Sequence, residues 1–581
     1  MRRLLPGIVA ASGMALGRAR LEQPARFTID TSPLAENEID AEIARLENAL
    51  AAAQSELTDL RGKLHGALAR EVGEFIDAHS LLLHDAELIN GLRGLIRKGR
   101  YRAGAALKMQ RDRLVAVFDA MDDPYLRSRR EDVDHVIARV QSALARQVSS
   151  EEKKLASRMG EILVTESIAP GELAHLSGHG VLGVVATSGS TYSHSAILAR
   201  SMRLPMLVGV RGALTDLHDG DLVLVDAERG EAVVHPTAQD LTRYRNWQRE
   251  AAREGRRLAR LARAPTQTAD GCELRLYVNA ELPAEITQAR ALGASGIGLY
   301  RTEFLFLKRD RLPDEEEQFC AYRDAVLGMG GLPVTIRTLD LGADKSDGTG
   351  LALDAEPNPA LGVRGVRLSL RRPAIFAMQL RAILRAACYG PLRILVPMIT
   401  DAGELMAVRT LLEHCARDLR TEGHEIPDQF KLGAMVEVPA AAIGVRTLLR
   451  VSDFLAIGTN DLAQYVLAAD RNNDSLGQLY DPLHPSLLRL LARVIRAGNR
   501  AGKQVTLCGE IGGDPKFAAL LVALGLTDFS MHPGRILNMR DALARCNQQT
   551  LRALAPRLLK ANSREEVAEL LRAASDLGGT L

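Results

Sequence analysis

Eight short apolar runs, each followed by a helical pattern, occupy the second half of the sequence. They lie at residues 274–278, 296–300, 334–336, 394–397, 433–436, 454–457, 505–507 and 528–531. Strands that alternate with helices form a parallel sheet, and eight such units over roughly 300 residues predict a closed barrel. We therefore expect a (β/α)8 TIM barrel over residues 265–581.

Polar side chains stand at the carboxyl ends of these runs. They are Asn279, Arg301, Glu303, Arg337, Asp340, Glu437, Asn460, Asp461, Cys508 and Glu510. In a (β/α)8 barrel the carboxyl ends of all strands meet at one face, which carries the active site. The pattern predicts that these side chains share one site.

The residue types at that face suit a metal ion and an anion. Glu437, Asp461 and Asn460 offer the oxygen ligands that Mg²⁺ prefers. Three arginines can form forked hydrogen bonds to phosphate or carboxylate oxygens. These are Arg301, Arg337 and Arg471. Each charge alone is equally well explained as a structural ion pair, but together they predict a site for Mg²⁺ and a small anion with one phosphate and one carboxylate.

Cys508 stands at the same face. A single cysteine at a strand end is usually a small apolar filler. Beside a carbanion or an enolate, however, its thiol can act as a general acid. Both interpretations stay open at this point.

A Gly/Ser/Thr-rich loop precedes His194 in the first half of the chain. An apolar run at residues 181–186 predicts a strand, and the apolar stripe after the loop predicts a helix with His194 in its first turn. The unpaired N–H groups at a helix N-terminus favour a bound anion, which suits a histidine that carries a phosphoryl group. A histidine that merely caps the helix is the equal alternative.

The length of 581 residues indicates two to four domains. Residues 31–148 show helical periodicity, and residues 149–236 return to strand-like runs. We expect a strand at residues 7–17, which would join the later runs in an α/β domain made of residues 1–30 and 149–236. The helical block would be an insertion in this domain.

Within the helical block, apolar residues at steps of four and three from Ile39 to Leu64 predict one long helix. Further helices are expected at residues 71–88, 103–121 and 132–148. A coiled-coil dimer is the alternative for the first pattern. A bundle is favoured because Gly62 and Gly66 end the pattern and other helices follow.

The polar, Arg-rich residues 237–264 are interpreted as a solvated linker helix rather than an RNA-binding arm. Acidic residues alternate with the arginines there, and the whole chain has 74 Lys+Arg against 72 Asp+Glu, a net charge of +2. This balance gives no general attraction to nucleic acid or anionic membranes.

The six cysteines have no CxxC spacing, which argues against a disulfide framework or a zinc site. Pro6 and Gly7 break the N-terminal apolar run too early for a signal peptide. The sequence has no run of 18 apolar residues. These features predict a soluble, cytoplasmic protein without a membrane insertion.

Six motifs in order resemble those of enzyme I of the phosphoenolpyruvate-dependent phosphotransferase system, a phosphoenolpyruvate–protein phosphotransferase family. They are SHSAILAR at 193–200, GLYRTEFLF at 298–306, RTLDLGADK at 337–345, MVEVPA at 435–440, IGTNDLAQY at 457–465 and CGE at 508–510. The resemblance covers almost the whole chain.

The resemblance implies roles for the residues singled out above. His194 would be phosphorylated through Nε2, Cys508 would protonate the enolate to give pyruvate, and Glu437 with Asp461 would bind Mg²⁺. The residues implied to hold phosphoenolpyruvate are Arg301, Arg337, Asn460, Asp461 and Arg471. The helical insertion would dock the phosphocarrier protein HPr through residues 75–88 and 125–130, and the barrels would form a homodimer. The His194 domain would swing about the linker helix and Pro265.

Three positions depart from the family pattern: Ser190 and Tyr192 beside the histidine, and Ala343 in the third motif. Tyr192 replaces a threonine whose hydroxyl would steady the phosphohistidine.

Two other functions are alternatives to this one. A pyruvate phosphate dikinase or phosphoenolpyruvate synthase would need a nucleotide-binding domain, which the helical first 160 or so residues do not suggest. A phosphoenolpyruvate sensor without turnover would not need His194, the carboxylates and Cys508. The motifs do not distinguish a sugar-uptake pathway from a nitrogen-type regulatory one.

Overall fold

The computed structural model describes residues 2–22, 32, 34–63, 76, 79–119, 130–146, 160–168, 173, 180–189, 194–202, 204–307, 311–342, 356, 358–470 and 481–576. The chain divides into two units, Met1–Arg253 and Glu254–Leu581.

The first unit is built on an eight-stranded mixed sheet. Its strands are β1 Arg3–Pro6, β2 Ile8–Ala11, β3 Met14–Glu22, β4 Glu161–Thr165, β5 Val181–Ala186, β6 Met206–Val208, β7 Leu222–Asp226 and β8 Glu231–Val234. They lie in the order β1-β8-β7-β3-β4-β5-β6-β2. Because β1 and β2 are the two edges yet are separated only by Gly7, the sheet curls until its edges approach each other.

The single strand expected at residues 7–17 is wrong, because the chain turns twice in this stretch. Gly7 interrupts it first: a Cβ there would lie 2.5 Å from Val210 Cγ2. Gly13, with φ of +124°, then breaks the chain between β2 and β3. Apolar periodicity does not register such breaks, so the sequence shows one run at residues 7–17 where the structure has β2 and the start of β3.

Helices follow β3 in the order that the periodicity predicts, with one difference. They are α1 Ile39–Lys63, α2 Ala86–Arg97, α3 Ala103–Asp119 and α4 Arg130–Arg146. Residues 79–84 are helical too, but the helix expected at 71–88 is interrupted at Asp85, whose Oδ1 accepts a hydrogen bond from Leu88 N–H at 3.0 Å. Asp85 thus starts α2 as an N-cap. The sequence does not predict helix α2, because Gly91 and Gly94 weaken its helical signal.

One hydrophobic core joins these helices to one face of the sheet. It contains Leu46, Leu92 and Val140 from the helices and Leu163 and Val184 from the strands. The opposite face of the sheet has a separate core. The helical insertion therefore packs directly on the α/β sheet.

Three further helices belong to the first half: α5 His194–Ser201, α6 Ala213–Asp216 and α7 Ala238–Arg260. The α7 side chains are mostly exposed, and its last residues lead into a 3-10 turn at Leu261–Arg263. At its start, Asp240 accepts hydrogen bonds from Arg2 at 2.8 and 3.0 Å. Within the described parts of the chain, no helix combines the length and the apolarity that a membrane crossing requires.

The second unit is the predicted (β/α)8 barrel. Its eight parallel strands are β9 Arg275–Ala280, β10 Ile297–Tyr300, β11 Val334–Arg337, β12 Leu392–Val396, β13 Lys431–Val436, β14 Phe454–Ile457, β15 Val505–Leu507 and β16 Asp528–Met531. The barrel closes where β16 pairs with β9, with Phe529 beside Leu276. Strands β10, β11, β14, β15 and β16 are buried along their whole length, because one face fills the barrel and the other packs on helices.

Helices cover the outside of the barrel. They are α8 Pro283–Ala291, α9 Glu315–Gly328, α10 Val366–Arg371, α11 Pro373–Ala386, α12 Ala402–Thr421, α13 Pro439–Ile443, α14 Val445–Val451, α15 Thr459–Leu467, α16 Pro485–Arg500, α17 Ala518–Leu524, α18 Ile536–Arg545, α19 Gln548–Lys560 and α20 Arg564–Asp576.

A buried arginine, Arg540 of α18, ties the end of the linker to the barrel. It is 2% exposed and donates hydrogen bonds to Thr266 Oγ1 at 3.0 Å, Leu292 O at 3.1 Å and Gly293 O at 2.7 Å, and it also bonds Leu261 O. The donors thus satisfy carbonyls at the C-terminal end of α8 and in the linker segment.

We predict that Arg540→Leu lowers the free energy of unfolding of the barrel by about 2–4 kcal/mol, because buried carbonyls lose their donors. Arg545→Leu on the same helix is the control. Arg545 is 47% exposed and pairs with Asp541 at 3.0 Å, so its loss should cost less than about 1 kcal/mol. Urea denaturation of both variants measures the difference, and equal losses would contradict the role given to Arg540.

Candidate functional site

The carboxyl ends of the barrel strands bring the predicted side chains to one mouth. Arg301 follows β10, Arg337 ends β11, Glu437 follows β13 and Cys508 follows β15. Asn460 and Asp461 lie in the first turn of α15, directly after β14. Arg471 lies outside the described residues.

Arg337 is the most enclosed cation of this mouth. It is 9% exposed and pairs with Glu303 at 3.0 Å and with Asp340 at 3.1 Å. The Glu303 carboxylate is also held by the backbone of Asp340, whose N–H donates to Glu303 Oε1 at 2.9 Å. Although burial lowers it, the pKa of Arg337 is raised above its ordinary value by these acidic neighbours. The guanidinium is thus held charged and in one orientation.

Arg364 belongs to the same site but was not identified from the sequence. Its Nη2 donates to both oxygens of Asp340 at 3.2 Å, and its Nη1 lies 3.8 Å from Asp461 Oδ1. It precedes Gly365, which has a φ of +56°. Arg364 follows no strand, so the strand-end rule overlooked it. The signal that the sequence offers is an arginine directly before a glycine, in the segment Gly362-Val363-Arg364-Gly365.

Glu437 is buried at the centre of the mouth, with 1% of its surface exposed. Its Oε1 accepts a hydrogen bond from Met398 N–H at 2.6 Å, and Met398 has the unusual φ of +58°. Burial, followed by the charges of Asp340 and Asp461, raises the pKa of Glu437 to about 8. The carboxyl group is therefore protonated at neutral pH unless a cation stabilises its charge.

This electrostatic imbalance fits a divalent cation. Glu437 and Asp461 supply hard oxygen ligands, and a cation between them would relieve the repulsion that raises the Glu437 pKa. Among the described residues, no group of three or more His, Cys, Asp or Glu side chains has the spacing of a complete metal site. Two carboxylates are a donor set that Mg²⁺ accepts, because this ion usually binds through one or two carboxylates and completes its shell with water and substrate phosphate.

Cys508 lies in the inner layer of the barrel with Leu299, Met435 and Phe454. It is 4% exposed, and its Sγ lies 3.3 Å from Ile457 O. Burial, followed by the charge of Glu437, raises the pKa of the thiol to about 12. Cys508 is thus protonated at neutral pH, the state that a proton donor needs.

Arg301 and Asn460 form the outer rim. Arg301 Nη1 donates to Glu281 Oε1 at 2.7 Å, while 41% of the Arg301 side chain is exposed. Asn460 Nδ2 donates to Glu510 Oε1 at 3.2 Å, and the backbone N–H of Glu510 donates to Asn460 Oδ1 at 3.1 Å. Asn279, also expected at a strand end, donates to Cys508 O at 2.9 Å. Rim residues are accessible to a ligand, whereas Arg337 and Glu437 form the floor.

His194 belongs to the first unit and, as expected, begins a helix after strand β5. Ala196, Leu198 and Ala199 bury the apolar side of α5, and Ser195 Oγ donates to Ile168 O at 2.6 Å. These contacts fix the first turn on the sheet. Ser190, Tyr192 and Ala343, the departures from the family motifs, lie outside the described residues.

We predict that Mg²⁺ binding to the mouth strengthens about tenfold per pH unit as the pH rises toward 8 and then levels off. The sign follows from the raised pKa of Glu437: below pH 8 the metal must displace a proton. Isothermal titration calorimetry in buffers of different ionisation enthalpy counts the proton released.

Glu437→Gln should abolish this proton release and weaken Mg²⁺ binding. Glu413→Gln on the exposed side of α12 should change neither. Mg²⁺ binding without proton release in the unsubstituted protein would contradict the assignment.

Models of three domains of one enzyme family match the chain in order. The PEP-utilising enzyme N-terminal model matches residues 6–129, the mobile-domain model 158–230 and the PEP-binding-domain model 255–548. The last match alone covers half of the chain.

Curated relatives match over nearly the full length. A phosphoenolpyruvate-protein phosphotransferase of Cupriavidus necator is 42% identical, with 98% of each chain covered. Proteins of the same name from Staphylococcus aureus and Listeria innocua are 37% and 36% identical, over 98% of this chain and 99% of theirs. With three domain models and relatives of this similarity, the chain belongs to the phosphoenolpyruvate-protein phosphotransferase family.

Proposed function

We propose that this protein transfers the phosphoryl group of phosphoenolpyruvate to its own His194 and from there to a histidine of the phosphocarrier HPr, releasing pyruvate. The observation that carries the proposal is the barrel mouth. Enclosed arginines and a carboxylate with a raised pKa lie there within reach of one small anion. Family membership supports the same reaction.

Phosphoenolpyruvate carries one phosphate and one carboxylate, and the mouth offers matching partners. Arg337 and Arg364 are charged and held by ion pairs, so they need little reorganisation to receive a ligand oxygen. Arg301 and Asn460 at the rim, with Asp461, would orient the other end of the molecule. Arg471 is proposed to bind the phosphate as well.

Glu437 and Asp461 would hold Mg²⁺, which would supply positive charge to neutralise the phosphate. Removing phosphate charge matters because the negative oxygens repel the lone pair with which neutral His194 attacks phosphorus. The arginines of the mouth would neutralise phosphate charge as well.

In the transfer step, His194 Nε2 forms a bond to phosphorus as the bond from phosphorus to the enol oxygen breaks. The leaving group is the enolate of pyruvate, and its methylene carbon takes a proton from the Cys508 thiol. The thiolate then regains a proton from solvent. The raised pKa of Cys508 keeps the proton in place until the strongly basic enolate forms.

His194 and the mouth belong to different units, so the histidine unit must be mobile. From the sequence, the hinge is expected in the linker helix and at Pro265. Arg540 bonds Leu261 and Thr266, and Arg257 pairs with Asp541, so the residues around Pro265 are fastened to the barrel. We therefore place the hinge before Arg257.

HPr is proposed to dock on the helical insertion. Leu81, with 74% of its surface exposed, lies beside the exposed His84 in the described part of the proposed docking segment 75–88. An exposed apolar side chain of this size suits a protein interface. We propose a cytoplasmic homodimer joined through its barrels, serving either sugar uptake or a nitrogen-type regulatory branch.

We predict that the protein incubated with phosphoenolpyruvate and Mg²⁺ gains one acid-labile phosphoryl group on His194. Intact-protein and peptide mass spectrometry measure the adduct and its position. His194→Ala should remove the adduct and all transfer to HPr, whereas His218→Ala, at an exposed histidine of the same unit, should retain both. An adduct that persists in His194→Ala would refute the proposed carrier.

Cys508→Ala should slow pyruvate formation by about 10²-fold or more while phosphoenolpyruvate still binds, because only protonation of the enolate needs the thiol. Exchange of the pyruvate methyl hydrogens with deuterated solvent reports this step separately. Cys415→Ala, at a buried cysteine of α12, is the control and should leave exchange unchanged. Binding and exchange that decline equally in Cys508→Ala would make Cys508 a packing residue.

A further inference from the structure

A second cationic surface lies on the outside of the barrel, between helices α14 and α16. Its arginines are Arg446, Arg450, Arg493, Arg496 and Arg500. They line an open pocket of about 500 Å³, which we call the arginine groove. Arg450 and Arg500 stand just before β14 and β15, so this end of the groove is opposite the catalytic mouth.

Helical spacing gathers these side chains on facing stripes. Arg446 and Arg450 are four residues apart on α14, and Arg493, Arg496 and Arg500 follow steps of three and four on α16. The two helices pack against each other. All five side chains are exposed. Like charges at such spacing repel one another, so the stripes are unfavourable without a counter-charge.

The groove contains no acidic residue among those lining it. None of the five arginines forms an ion pair with a described residue. Arg493 donates to the carbonyl of Ile443, at 2.7 and 3.1 Å. By contrast, Arg409 on nearby α12 pairs with Asp453 at 3.1 Å. Positive charge at a helix C-terminus offsets the helix dipole, which accounts for Arg450 and Arg500 but not for the other three.

The floor of the groove is apolar, formed by Val445, Leu449 and Ala497. Its volume lies in the range of pockets that bind small molecules. Guanidinium groups form forked hydrogen bonds with phosphate oxygens, and several phosphates in a row match several arginines in a stripe. A single phosphate could engage only a few of them.

We propose that the arginine groove binds a small polyphosphate, the chemistry shared by inorganic triphosphate and the triphosphate of a nucleotide. The site is separate from the mouth and independent of the proposed reaction. An apolar floor beside the cations gives room for a nucleobase.

Calorimetric titration of the full chain without Mg²⁺ tests the proposal with three probes: inorganic triphosphate, adenosine triphosphate and orthophosphate. We expect both triphosphates to bind at least tenfold more tightly than orthophosphate, with affinity that falls as salt rises. Tighter binding of the nucleotide would assign the floor to a base, and equal binding would assign the site to the phosphates alone.

Three variants locate the binding. Arg450→Gln with Arg496→Gln should weaken triphosphate binding at least tenfold and leave His194 phosphorylation intact, while Arg552→Gln, at an exposed arginine of α19, should change neither. Arg301→Gln separates the groove from the mouth, because it should impair phosphorylation and spare triphosphate binding.

Triphosphate affinity that survives the double substitution, or that falls equally in Arg552→Gln or Arg301→Gln, would overturn the assignment. Thermal melts of each variant check that the fold is retained.

Discussion

The barrel mouth depends on one constraint: charges enclosed by protein must be paired. Arg337 lies between Glu303 and Asp340, and Arg364 reaches from Asp340 to Asp461. Removing one partner from such a chain would leave a buried charge without compensation, which is far more costly than the pair is stabilising. The ion pairs therefore serve less to stabilise the barrel than to fix where its positive charges point.

This constraint also explains why the mouth is suited to a ligand. Its arginines are compensated by carboxylates, but the charge of Arg337 only partly offsets the burial and the acidic neighbours of Glu437, whose pKa is raised to about 8. A metal and a phosphate bound together would compensate the carboxylates and the arginines of the mouth, respectively. The same electrostatics leave Cys508 protonated. In the proposed function, one arrangement of charges would thus serve anion binding, metal binding and proton donation.

Much of the barrel and its mouth could be predicted because the rule behind them is geometric. Parallel strands end at one edge, so strand-end residues such as Arg337, Glu437 and Cys508 are neighbours whatever the loops do. The strand-end rule did not identify Arg364, because a loop rather than a strand brings this residue into the site. The sequence did not predict the breaks at Gly7 and Gly13 or the helix interruption at Asp85, for a related reason. Each depends on backbone conformation or a single capping bond, which apolar periodicity does not record.

The central claim is that the arginines and the carboxylates form one site, in which metal and phosphoenolpyruvate bind together. The most direct test is the affinity for phosphoenolpyruvate measured with and without Mg²⁺ in a protein that lacks the His194 acceptor, so that no transfer follows binding. Mg²⁺ should tighten binding by at least about tenfold, and Glu437→Gln should remove that gain. Equal affinity with and without Mg²⁺ would contradict the account.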